Sequence, residues 1–231
     1  MNILDYEYNS LFQDLHFGDK NLTFDEIQRT VNLIDETIAV FSVGLPQIYS
    51  ELERIKGICR EPINYYRSIL SVFQFNLITM IDSMVACKYY LLASKDYEKR
   101  FMRGKLKVIL NEGFKRLYGF TQKAKTDSVW AQLKPLMLNA SIGIRRQYQM
   151  ITNNLERLSQ SSSWWKRERD LETHLNANEL YRSRQEEIVD SRVMEDSLKL
   201  FDALLCVNKF LEEMNRVTII SGVYANSEDI Q

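Results

Sequence analysis

The stretch "SILSVFQFNLITMIDSMVACKYYLLAS", residues 68–94, runs for 27 residues without a glycine or a proline. Ile69, Phe73, Leu77, Met80, Met84, Cys87 and Leu91 recur in it at steps of three and four, which puts them on one face of a helix. A helix of this length could span a bilayer. However, Gln74, Asn76, Asp82 and Lys88 interrupt it, and the ionised groups among them are costly in lipid. The expectation is therefore the central helix of a bundle. The rest of the chain agrees. Strand-rich folds need a turn about every ten residues and spend glycine and proline on them, but only eight Gly and three Pro are spread over 231 residues. The expected fold class is all-α: an up-and-down bundle of four or five long helices with additional short ones. A chain of this size buries about 70% of its unfolded surface, so it needs no disulfide or metal staple.

Thr23 with Glu26 three residues on forms a capping box. Ile27, Val31, Ile34, Ile38 and Phe41 then mark a buried stripe, which "GLP" at 44–46 should break or kink. Pro62 stands where the central helix would begin. A second long helix is predicted from Asp96 through Leu117, with Gly119 just past its end. Asp127 should cap a further helix carrying Val129, Leu133, Leu136 and Met137, bent at Pro135 and Gly143 and continuing to Leu158. "SQSSS" reads as a loop, with a cap at Ser163 and a short helix to about Leu175. The last long helix is predicted from Asp190 or Ser191. The expected division is a lead-in at 1–22 with one helical turn at 10–15, a single bundle domain at 23–222, and a polar tail at 223–231.

The net charge of −1 argues against a bulk polyanion binder. The charge is unevenly spread, though: residues 95–125 hold ten cations against three acids, so this segment is +7 and the remainder −8. Arg103 and Lys107 lie in that segment and are candidates to track phosphates, the plainer alternative being a solvated helix face. Cys59, Cys87 and Cys206 are too few and too scattered for a disulfide framework, and are expected as buried thiols in a reducing cytosol. "MNILDYEYNS" has acids where a targeting segment has cations, so a cytoplasmic location is expected.

Chemistry is concentrated in "WWKRERDLETH", residues 164–174, where four basic or imidazole side chains and three carboxylates follow two tryptophans. His16 and His174 are the only histidines, and no Glu-x-x-His pair, zinc spacing or phosphate loop is present, so no metal or cofactor is expected. An arginine and a histidine suffice to cut RNA without metal. The imidazole moves protons near neutral pH, and the guanidinium holds the phosphate and the charge that builds on it. Asp170 lies one turn before His174 on the same face, and could accept the imidazole N–H. Arg167 is also nearly on that face, whereas Arg169 is about 140° round an ideal helix.

Arginine, a polar residue, then histidine after a gap of four to six resembles the signature of the HEPN superfamily (higher eukaryote and prokaryote nucleotide-binding). "RDLETH", Arg169 to His174, fits it, and so does the longer "RERDLETH" from Arg167. The resemblance covers residues 62–217 in architecture and 167–174 in motif. It implies a four-helix core, a homodimer in which two Arg/His pairs line one cleft, and a metal-independent ribonuclease of a toxin–antitoxin, defence or RNA-processing system. Arg169 and His174 would then be catalytic with Asp170 in support, and Lys166, Arg167 and Trp164 would join Arg103 and Lys107 in holding RNA. A tyrosine that some relatives carry two residues after the histidine is here Asn176, so no modification role carries over.

Each assignment has a plainer counterpart. Arg169 could pair with Glu172 or Glu168, and His174 could sit at a helix end near its last carbonyls. Trp164 and Trp165 could stack on bases, but tryptophans of this size more often pack in a core or an interface. Tyr65, Tyr66, Tyr89 and Tyr90 are expected at helix edges. Asn76 and Asp82 either face a polar network or sit at the edge of the buried face. The alternative function is a non-catalytic helical module that dimerises or binds a protein partner.

Overall fold

The computed structural model describes residues 23–161, 165 and 190–220. Among these, five long helices and two short helical segments form an all-α bundle without strands. Helix α1 spans Phe24–Arg54, α2 Glu61–Leu92 and α3 Asp96–Leu117. The short α4 (Gln122–Thr126) and a 3-10 segment (Ala131–Leu138) precede α5 (Ile142–Ser161), and α6 covers Asp190–Ile220. The expected lead-in at 1–22, the cap at Ser163, the short helix after it and the polar tail lie outside the described residues.

The capping box at Thr23 forms as the sequence predicts: the Thr23 amide donates to Glu26 Oε2 at 2.7 Å, and the Glu26 amide donates to Thr23 Oγ1 at 3.3 Å. Pro46 does not end α1, which continues to Arg54. Proline removes one N–H from the ladder and leaves the carbonyl four residues back without its partner. Here that carbonyl belongs to Ser42, and Ser42 and Pro46 are both exposed, so water can take the place of the lost donor. Helix α2 starts at Glu61 with proline in its first turn.

Helix α2 is the centre of the bundle and packs on α1, α3 and α6. Antiparallel pairing with α1 is fixed at one end by the Lys88–Asp35 ion pair at 2.6 Å. At the other end Arg67 donates to the Ile55 and Ile58 carbonyls at 2.7 and 3.0 Å. Gly113 lets α3 come close to α2: a Cβ there would stand 2.8 Å from Thr79 Cγ2. Between α2 and α6, Asn76 Nδ2 donates to Asn208 Oδ1 at 2.8 Å, with both residues buried. Asn76 therefore takes the network reading, while Asp82 is exposed. Asn76 Oδ1 has no donor. A lone buried carbonyl costs stability, but an amide pair inside an apolar layer allows only one register of α2 on α6.

One predicted helix is broken. Asp127 ends α4 rather than capping a helix, and the chain then turns through 3-10 geometry before α5 begins. The local caps are Thr121 for α4, Ser128 before the 3-10 segment and Ser141 for α5; each side-chain oxygen accepts from the amide three residues on, at 3.2, 3.2 and 3.3 Å. The cysteine expectation is also corrected. Cys59 and Cys206 are exposed at the surface, while desolvation of Cys87 pushes its thiol up to about 12. The stretch Ile63–Leu92 is long and apolar enough to cross a membrane, and half of its most apolar window is buried inside the bundle.

Gly119 turns the chain from α3 into α4 with φ +91°, a region that L side chains avoid. Its absent Cβ would stand 2.7 Å from the Ala124 carbonyl carbon. Gly57 has a similar φ, +83°, but open space around it. Gly119→Ala should therefore cost about 2–3 kcal/mol, combining backbone strain and overpacking, and Gly57→Ala about 1 kcal/mol from strain alone. Urea midpoints of the two variants check this, and equal losses would show that the close approach at Gly119 relaxes freely.

Candidate functional site

The described residue nearest the Arg/His motif is Trp165, and it is 1% exposed. Its ring meets Phe114 edge-on at 5.7 Å and Phe120 at 6.3 Å. Its indole N–H donates to Asp196 Oδ2 at 2.9 Å. Asp196 is buried on α6, and its other oxygen accepts from Lys199 Nζ at 2.7 Å. The carboxylate thus receives a donor on each oxygen, which is what a buried acid requires. Of the three readings offered for the tryptophan pair, Trp165 takes core packing. Trp164, Lys166, Arg167, Arg169, Asp170 and His174 lie outside the described residues, so their mutual geometry stays an expectation.

The two RNA-binding candidates on α3 are placed. Lys107 is 7% exposed and engaged within the fold, so it does not offer its ammonium to a phosphate backbone. Arg103 is half-buried and likewise engaged. Both point toward the bundle because α3 buries Gly104, Leu106 and Leu110 on the same side. The exposed cations of this segment are instead Lys95, Lys99, Arg100, Lys105, Lys115, Arg116 and Lys123.

A groove of about 250 Å³ lies between α5 and α6, lined by Ile151, Leu155 and Leu158 on one side and Lys199, Asp202 and Cys206 on the other. Lys199 is shared with the Trp165–Asp196 contact, so the groove adjoins the root of the motif-bearing segment. Burial raises the Asp202 carboxyl above the usual carboxylate range. Burial, and then the Asp202 charge, raise the Cys206 thiol, which makes it a weaker nucleophile at neutral pH. Among the described residues, no three His, Cys, Asp or Glu groups come together as a metal site.

On the other side of α5, Glu156 accepts from Tyr118 Oη at 2.8 Å and Lys125 Nζ at 2.6 Å. The Lys125 hydrogen bond, followed by that of Tyr118, lowers the Glu156 carboxyl below its ordinary value. Burial, and then Glu156 itself, raise the Tyr118 hydroxyl well above its own. A carboxyl depressed in the folded state adds stability above its unfolded pKa and loses it as pH falls through the folded one. Glu156→Gln should accordingly lower the melting temperature at neutral pH and make no difference in strong acid. A gap between the two melting curves that persists in acid would count against this linkage.

Asp196 could have been suspected from the sequence. It occupies the register of Val193 and Leu200, and a carboxylate in an apolar row announces a buried partner. Nothing local points to Trp165 as that partner, because the pair is 31 residues apart. Asp202 and Cys206 gave no signal, since a groove between helices is a property of their packing. No protein-family model matches this chain, no curated protein is similar to it, and no solved structure matches its fold.

Proposed function

We propose that this chain is a HEPN-like, metal-independent endoribonuclease of a toxin–antitoxin, defence or RNA-processing system, acting as a cytoplasmic homodimer. The observation that carries the reading is the spacing Arg169-Asp170…His174, in the segment that follows Trp165 and precedes the last long helix of an all-α bundle. The rooting of Trp165 between α3 and α6 supports it, because a reacting pair needs a fixed base. In this mechanism His174 takes the proton of a ribose 2′-hydroxyl. The 2′-oxygen attacks the adjacent phosphorus, the bond to the 5′-oxygen breaks, and that oxygen leaves with a proton given by the imidazolium of the second copy's histidine in the same cleft. Arg169 holds the phosphate and the charge gathering on it, and Asp170 fixes the imidazole tautomer.

The test is incubation of the chain with structured and single-stranded RNAs in the presence of EDTA, followed by end-group analysis. The expected result is cleavage that survives chelation and leaves 2′,3′-cyclic phosphate and 5′-hydroxyl ends. Absence of cleavage over varied RNAs, or ends of another kind, overturns the reading.

A second reading, a non-catalytic dimerisation or docking module, is favoured by one observation. Ile78, Val85, Tyr89 and Leu92 are exposed along the outer side of α2, at steps of seven, four and three. A seam of that period suits a partner helix. Under this reading, Val85→Asp abolishes self-association or partner capture, and RNA stays intact.

A further inference from the structure

Residues 128–155 hold three cations, Lys134, Arg145 and Arg146, and no carboxylate. All three cations are exposed, and no described acid pairs with them. Within the same stretch, Leu138 is 81% and Ile142 71% exposed, more than any other aliphatic side chain among the described residues. These two flank the connection from the 3-10 segment to α5. Leu133, Leu136 and Met137 turn inward before it, and Ile144 after it. Fraying does not explain the exposure. Trp130 stacks on Tyr148 at 4.7 Å and 8° and donates to Thr152 Oγ1 at 3.0 Å, which ties the base of the connection to α5. Arg145 and Arg146 follow Ile142 by three and four residues, so they share its face of α5, and Met150, 55% exposed, extends that face.

Two apolar side chains held out in water cost free energy that nothing in the fold recovers. RNA is a poorer occupant, because bases are gripped by aromatic stacking and this tip adds only aliphatic groups, with no exposed aromatic ring, to its cations. A second copy of the tip is a poor occupant too, since it would bring six cations together without a carboxylate. The chemistry that matches aliphatic groups ringed by cations is the boundary between anionic headgroups and acyl chains. We propose that this tip docks on an anionic phospholipid surface, with Leu138 and Ile142 entering the acyl boundary and Lys134, Arg145 and Arg146 on the lipid phosphates.

The test is co-sedimentation of the full chain with mixed phosphatidylserine/phosphatidylcholine vesicles, and with pure phosphatidylcholine vesicles, at low and high salt. Binding is expected to the mixed vesicles, weakened by salt and absent on the neutral ones. The double variant Arg145→Ala/Arg146→Ala should lower partitioning about 30-fold, at roughly five-fold per cation. Leu138→Ser/Ile142→Ser should lower it at least about tenfold, with the melting curve, RNA affinity and oligomeric state unchanged. Failure to bind anionic vesicles overturns the proposal, as does equal binding to neutral ones. Wild-type partitioning of the Leu138/Ile142 variant would show that another surface binds. Loss of RNA affinity or of self-association in that variant would assign the tip to that partner instead.

Discussion

Replacing Trp165 by alanine should cost about 4–5 kcal/mol of stability, the upper part of the range for large aromatic deletions from a core. Two losses combine. A ring that is 1% exposed and wedged edge-on against Phe114 and Phe120 leaves a cavity that α3, the α3–α4 connection and α6 cannot close without moving. Asp196 Oδ2 also loses the indole donor inside the core, while Lys199 still holds Oδ1. Trp165→Phe separates the two losses: it keeps most of the volume and gives up the hydrogen bond, for about 1–2 kcal/mol. Urea denaturation of both variants measures the difference. A loss under about 1 kcal/mol in the alanine variant would mean that Trp165 is not part of the folded core, and would remove the anchor invoked for the motif. The alanine variant should also lose RNA cleavage beyond its loss of stability, since the segment that starts one residue later loses its fixed end.

The second large effect belongs to the motif itself. His174→Ala should lower single-turnover RNA cleavage by about 10²–10⁴-fold, the usual worth of a positioned general acid or base. Arg169→Ala should lower it by about 10²–10³-fold, as for removal of one group that stabilises transition-state charge. Arg167→Ala decides between the two arginines: if the longer spacing is the working one, the large loss moves from Arg169 to Arg167. Asp170→Asn should keep activity but shift the basic or acidic limb of the pH–rate profile that His174 governs, because the imidazolium loses a neighbouring charge. The melting curves of these variants should match wild type. Cleavage equal to wild type in both His174→Ala and Arg169→Ala would leave "RDLETH" as a chance spacing and favour the docking module on the α2 seam.

The all-helical class, the boundaries of α2 and α3, the capping box at Thr23 and the start of α6 were legible in the sequence by itself. Each depends on groups a few residues apart: apolar spacing, a cap and its partner, a glycine that accepts positive φ. The sequence also supplied every residue of the proposed catalytic set, because that proposal rests on spacing along the chain. The tertiary structure alone decided what depends on distant partners. Pro46 sits within a continuous helix at a position where it and Ser42, whose carbonyl it leaves without a donor, are both exposed. Lys107 is buried because it shares the inner side of α3 with Leu106 and Leu110, a side that a segment so rich in cations did not mark off in the sequence. Trp165 found Asp196, and Asn76 found Asn208, across 31 and 132 residues. Long-range pairs of this kind satisfy polar groups that the chain brings into the core, and no local pattern records which partner will be there.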